Sequence, residues 1–242
     1  MSKLIIINLK TSKNSVETSE YLEQITKYDY KNKVVILPSV SNLFLSSLYK
    51  SNVEYGVQDF YYKDGDSLTG AVNLKMLEFM NVKYALVGHH ERRKEFKESN
   101  ATINKKLIYA LNNNVTPILC IGESLKQSEN KNLCKAFLKK QLSLCLRGVK
   151  KSDYEKIIIA YEPTFAIGAE SGADLEYVEN NIKLIKETLS NNQKYNIKVL
   201  YGGSVNEENY NLYLDSEVID GVLVARFAQK SENLIKLAGK NE

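Results

Sequence analysis

The chain has 242 residues, of which 43% are hydrophobic and 26% charged, a balance that excludes a disordered chain. Its 33 basic and 29 acidic side chains leave a net charge of +4, interleaved in runs such as "ERRKEFKE", so nucleic acid and an anionic membrane are not expected partners. Three cysteines, Cys120, Cys134 and Cys145, are an odd number without metal-ligand spacing, which argues against a disulfide framework or a zinc site and for a reducing, cytoplasmic setting.

The first apolar run, "LIIIN" (4–8), is too short for the core of a signal peptide, and no apolar segment approaches transmembrane length. It leads into "NLKTSKN", which lacks the glycine-rich loop that a doubly wound open sheet places after its first strand. Asn8 and Lys10 stand two residues apart and so share one side of an extended segment. An amphipathic segment (15–28) follows, then "VVILP" (34–38), a helical segment (41–50), "YGVQ" (55–58) and a further helical segment (74–81). "YALVG" (84–88) ends in "GHHERR", which holds the only two histidines of the chain, and a helix is predicted over 99–113 from Ile103, Leu107, Ile108 and Leu111.

"PILCIG" (117–122) precedes a helical segment at 131–147, and "IIIAYE" (157–162) precedes one at 174–191. Between the latter two lies "PTFAIGAESGAD", whose glycines and small residues suit a mobile lid. "KVLYGG" (198–203) and the helical segment 206–213, then "GVLV" (221–224) and 231–238, complete the chain. The runs are apolar without alternation, as in strands buried on both faces. Strand and helix alternate eight times with no long linker. That pattern predicts one (β/α)8 barrel spanning 1–242, with its active site at the carboxyl ends of the strands. At those ends stand Lys10, His89 and Glu162, the last beside apolar Phe165 and Ile167, which would raise its basicity by desolvation. The loops after the seventh and eighth strands, with Gly202, Gly203 and Ser204, are where barrels commonly hold phosphate.

Taken together, "NLK" (8–10), "GHHERR" (88–93), "CIGE" (120–123), "AYEPTFAIG" (160–168), "YGGSV" (201–205) and "DGVLV" (220–224) resemble the triosephosphate isomerase family from the first strand to the last helix. The resemblance implies interconversion of dihydroxyacetone phosphate and D-glyceraldehyde 3-phosphate through an enediolate, without metal or organic cofactor. In it Glu162 is the base and His89 the neutral imidazole that polarises the carbonyl. Lys10 supplies positive charge, Asn8 positions it, and Glu91 holds Lys10 or assists proton traffic. The backbone amides of Gly168, Ser204, Ala225 and Arg226 cradle the phosphate. Residues 163–173 form the closing lid, with Pro163, Thr164, Phe165, Ala166, Ile167 and Gly168 in its first half and Tyr201 and Ser204 as its latch. The loop 59–73, with Thr69 at its tip, implies a homodimer.

The sequence departs from the family pattern at several positions. Ala225 and Arg226 replace two glycines, His90 replaces a serine, Ala71 replaces a glutamate expected to pair with Arg92 across the dimer, and Glu170 stands at a glycine position. Leu9 and Phe165 replace tryptophans as apolar packing changes. Two further readings follow from these departures: an isomerase of a four-carbon sugar phosphate of the erythrulose 4-phosphate type, and a barrel that binds phosphate without catalysis.

Overall fold

Eight short apolar segments become strands because each is buried on both faces, and a parallel ladder satisfies their backbone groups without exposing an edge. The computed structural model describes residues 2–49, 51–65, 67–190 and 196–241. Its strands are β1 (Leu4–Asn8), β2 (Lys33–Leu37), β3 (Glu54–Val57), β4 (Val82–Val87), β5 (Thr116–Ile121), β6 (Ile158–Tyr161), β7 (Lys198–Tyr201) and β8 (Gly221–Val224). They pair in parallel and in chain order, and β8 returns to β1, closing the barrel. The seams differ in length. β1 and β2 pair over five positions, from Leu4↔Lys33 to Asn8↔Leu37, whereas β7 and β8 share the single pair Tyr201↔Val222.

Alternate residues of each strand enter two separate cores. Leu4, Ile6, Val35, Leu37, Ile118 and Leu200 fill the barrel interior, while Ile5, Ile7, Val34, Ile36, Leu119 and Val199 meet the helices outside. The helices are α1 (Ser15–Ile25), α2 (His90–Glu95), α3 (Asn100–Asn112), α4 (Leu125–Ser128), α5 (Lys131–Cys145), α6 (Leu175–Ser190), α7 (Tyr210–Asp215) and α8 (Ser231–Ala238). α1 begins at a reciprocal cap in which the Asn14 side chain accepts the Glu17 N–H and the Glu17 carboxylate accepts the Asn14 N–H. It buries Tyr21, Leu22 and Ile25 on one stripe, each worth roughly 1.5–3 kcal/mol of apolar transfer.

Three predicted helices differ from expectation. Residues 41–50 and 74–81 form 3₁₀ helices, Val40–Leu48 and Lys75–Met80, with position 50 outside the described residues. In the first, the Ser46 and Ser47 hydroxyls donate to the Leu43 and Phe44 carbonyls three residues back, a local alternative to the α-helical ladder. Segment 206–213 is helical only from Tyr210, because the Asn206 side chain accepts the N–H groups of Glu208 and Asn209 and turns the chain first. The short α2 is an addition: it carries no buried residue, so no apolar period announces it. Position 191 of the predicted sixth helix lies outside the described residues. All three cysteines are free and buried. Among the described residues no helix is long and apolar enough to cross a membrane.

Candidate active site

The carboxyl ends of the strands open into one cleft of about 740 Å³, lined by Asn8, Lys10, His89, His90, Glu91, Glu162, Ile167, Gly168, Ser204, Ala225 and Arg226. Every residue that the sequence nominates for catalysis or phosphate binding is therefore brought to one place. Of the first half of the lid, Ile167 and Gly168 face the cleft. Pro163 and Ala166 are buried, Thr164 is exposed, and Phe165 packs edge-on against Tyr177.

Glu162 follows β6 directly, and its N–H still donates to the Ile121 carbonyl at 2.7 Å, so its backbone extends the strand by one residue before Pro163 ends it. Two glycines let neighbouring strand ends press against it. A Cβ on Gly122 would collide with the Glu162 carbonyl, and one on Gly202 would lie 2.8 Å from its Cγ. The side chain is 3% exposed, and burial pushes its carboxyl up to about 8 against the opposing pull of the His90 N–H, the Cys120 thiol, Arg93 and Lys10. The His90 N–H donates to Oε2 at 3.3 Å.

His89 stands at the N-cap position of α2, and its side chain is buried. Its Nε2 lies 3.5 Å from Glu162 Oε1 and its Nδ1 3.6 Å from Glu91 Oε2. Burial first, then the positive charges of His90 and Lys10, hold the imidazole down to about 3, so it is neutral at physiological pH. Lys10 takes the left-handed conformation at φ 52°, unusual for a residue other than glycine. Asn8 Oδ1 accepts its N–H at 3.0 Å, Gln58 Nε2 donates to its carbonyl at 2.8 Å, and its ammonium pairs with Glu91.

Four residues in this framework were not singled out in the sequence. Gln58 reads as a strand end, yet it bridges the carbonyls of Lys10 and Leu37. Arg93, the last residue of "GHHERR", ties the loop of His89 to the barrel by donating to the carbonyls of Gly88 and Cys120 and to Asn100 Oδ1. Glu123, the last residue of "CIGE", is fully buried and accepts from the hydroxyls of Tyr161 and Tyr177, while its carbonyl accepts the N–H and hydroxyl of Thr164. Gln229, after β8, donates from Nε2 to the Leu9 carbonyl after the adjoining β1. Arg93 and Glu123 stand inside recognisable motifs, which is the signal that finds them; Gln58 and Gln229 carry none.

The segment 163–173, expected from the sequence as a lid, is tethered at both ends. Near its start the Ser204 N–H donates to the Ala166 carbonyl at 3.0 Å, and near its end the Ala173 N–H donates to the Tyr201 hydroxyl at 2.8 Å. Tyr201 and Ser204 thus both touch it, Ser204 through its backbone. The Ser204 amide is accordingly engaged by the lid in this conformation. Arg226 reaches the lid beside Gly168, with Nη2 3.7 Å from where a Cβ of that residue would stand. Among the described residues its guanidinium forms no ion pair.

The triosephosphate isomerase family model matches residues 3–241. The chain belongs to the triosephosphate isomerase family. Its relatives include the triosephosphate isomerase of Finegoldia magna, 35% identical over 97% of this chain and 96% of that protein. That of Mesomycoplasma hyorhinis is 34% identical over the full length of both chains, and that of Dictyoglomus thermophilum 33% identical over 97% and 98%. Family membership makes the chain an isomerase, and the closed barrel is the fold expected of it.

Against the triosephosphate isomerase pattern, the loss of the glutamate at Ala71 is met within the chain. Arg92 Nη2 pairs with Asp59 Oδ2 at 2.8 Å and with Glu98 Oε1 at 3.0 Å, and buried Lys106 joins the same two carboxylates. Of the other replacements, His90, Glu170, Ala225 and Arg226 line the cleft itself. The cleft thus keeps the family's chemical groups and changes their surroundings. Among the described residues, the group of His, Cys, Asp and Glu side chains close enough to share a metal ion is His89, His90 and Glu162.

Proposed function

We propose that the chain interconverts dihydroxyacetone phosphate and D-glyceraldehyde 3-phosphate, with Glu162 moving the proton between the two carbons. The observation that carries this reading is a buried carboxyl, raised to about 8, lying 3.5 Å from an imidazole kept neutral in the same cleft. A carboxylate that has lost its water is a stronger base, and a neutral imidazole donates from Nε2 to a carbonyl oxygen without having to lose a charge first. Glu162 takes the proton from the carbon next to the carbonyl; His89 and the Lys10 ammonium stabilise the enediolate oxygens; His89 donates its Nε2 proton to the former carbonyl oxygen and takes the hydroxyl proton from the neighbouring oxygen, which becomes the new carbonyl; Glu162 returns its proton to the neighbouring carbon. Asn8 fixes the backbone of Lys10, and Glu91 holds its ammonium, so that its charge is preorganised. The amides of Gly168, Ser204, Ala225 and Arg226 cradle the phosphate, for which Ser204 must exchange its contact with Ala166. The lid, residues 163–173, keeps water from the enediolate.

The whole chain, 1–242, acts as one catalytic barrel in the cytoplasm. It works as a homodimer through residues 59–73, with Thr69 at the exposed tip. The Tyr61 N–H donates to the Val72 carbonyl and closes the base of that loop, and Phe44, Leu48, Met76 and Phe79 are exposed on the two 3₁₀ helices that pack against each other. Such apolar exposure favours association.

A coupled assay with purified protein tests the reaction, and its pH dependence tests the base. The value of kcat/KM should climb with pH and level off above a midpoint near 8, because Glu162 works only when ionised, while His89 is neutral throughout. This limb lies above the second ionisation of the substrate phosphate, near pH 6. Folded protein without isomerase activity would end the reading, and a profile flat from about pH 7 to 10 would end the assignment of the raised carboxyl. The four-carbon reading draws on the free guanidinium of Arg226 beside Gly168. Equal or higher catalytic efficiency with erythrulose 4-phosphate would favour it.

A further inference from the structure

We propose that His89, His90 and Glu162 form a chelating site for a borderline divalent transition ion of the Zn²⁺ or Co²⁺ class, and that its occupation shuts the cleft. One ligand atom from each residue lies within 4.8 Å of the other two. His89 Nε2 is 3.5 Å from Glu162 Oε1, and His90 Nδ1 is 4.0 Å from Glu162 Oε2. A tetrahedral ion with bonds of about 2.0–2.1 Å holds its ligand atoms roughly 3.3 Å apart, so the two contacts to the carboxylate, each to a different oxygen, are near that separation, and the widest span, up to 4.8 Å, must contract by as much as about 1.5 Å.

His90 supplies the decisive atom. Its Nδ1 is buried and has no hydrogen-bond partner, so coordination breaks no existing bond. Two imidazole nitrogens and one carboxylate oxygen suit zinc, cobalt, nickel and copper, whereas magnesium and calcium prefer an all-oxygen set. Charge does not forbid the ion. The Lys10 ammonium is paired with Glu91, and Arg93 is turned to the carbonyls of Gly88 and Cys120. Since His90 replaces the serine of the family pattern, the third ligand is a property of this chain.

The site itself stands on geometry; its inhibitory consequence rests on Glu162 being the base. A metal ion on that carboxylate occupies the electron pair that would take the substrate proton, so inhibition is competitive with substrate.

The test is a titration of tag-free protein with CoCl₂, followed by calorimetry and by the visible absorption of tetrahedral cobalt, in wild type and His90→Ser, with circular dichroism to show that both fold. Wild type should bind Co²⁺ with a tetrahedral spectrum, and His90→Ser should bind roughly 100-fold more weakly. Mg²⁺ should give no signal in either. Absence of Co²⁺ binding in wild type, or equal affinity in the variant, overturns the site. An isomerase assay on the same samples separates the two proposals. His90-dependent binding in a folded but inactive chain keeps the site and removes Glu162 from its role, whereas full activity without binding removes the site alone.

Discussion

Replacing Glu162 with glutamine should lower kcat by a factor of roughly 100 to 10,000, the range that a positioned general base contributes. Glutamine keeps the shape and the burial but has no basic oxygen, so the loss falls on the chemical step and leaves KM little changed. Glu162→Asp should also fall by about 100-fold, because shortening the side chain by one methylene withdraws the carboxylate from the carbon it must reach. The same substitution has a signature in stability that distinguishes a desolvated carboxyl from an ordinary one. Folded Glu162 keeps its proton up to about pH 8, while the unfolded chain releases it near 4.5. Between those values the folded state binds more protons, so its stability declines as pH rises through that window. Glu162→Gln removes the decline. Its melting temperature, relative to wild type, should therefore be higher at about pH 9 than at about pH 5. An unchanged kcat, or the same difference in melting temperature at both pH values, would contradict the account of this residue.

Lys106→Met should destabilise the fold by about 3–5 kcal/mol, the usual cost of removing one partner from a buried ionic network. Lys106 is 3% exposed and bridges Asp59 and Glu98, which Arg92 joins from the other side. Without the ammonium, two carboxylates face one guanidinium, with the Glu98 side chain buried and those of Asp59 and Arg92 partly exposed. For a chain of this length that corresponds to a fall in melting temperature of roughly 10 °C or more. Asp59 begins the loop 59–73 proposed as the dimer contact, so on that proposal the lesion should also shift the mass seen by analytical ultracentrifugation toward the monomer. Lys106→Arg keeps the charge and should restore most of the loss. A melting temperature within about 2 °C of wild type would show the network to be dispensable.

The strands were legible because burial on both faces leaves a direct mark in the sequence: a run such as "LIIIN" has no polar alternation to confuse it. The site was legible at Lys10, His89 and Glu162 because each stands where a strand ends, and a charged side chain at the end of an apolar run is conspicuous. What escaped depends on long-range geometry. Helical periodicity assigns Ile108 and Leu111 to the core of α3, yet these are only partly buried, and Lys106 takes an inner position because Asp59 and Glu98 come from elsewhere in the chain. The 3₁₀ geometry of Val40–Leu48 depends on which way serine hydroxyls turn, and α2 is too short and too polar to show a period. His90 stood out as a replacement, but that its Nδ1 is buried without a partner follows from a rotamer that no neighbouring letter encodes.

The hydrogen bond from the Ser204 amide to the Ala166 carbonyl bears on selectivity among anions. A cleft whose donors are free would trap any phosphate or sulfate in the surrounding solution. In the proposed phosphate cradle one of those donors, the Ser204 N–H, is already satisfied by the Ala166 carbonyl, and an arriving anion would have to displace that contact to use it. Inorganic phosphate gains only that exchange, whereas a sugar phosphate also fills the space between Glu162, His89 and Lys10. On that reading the resting contact would act as a threshold, cleared by ligands with a carbon chain attached.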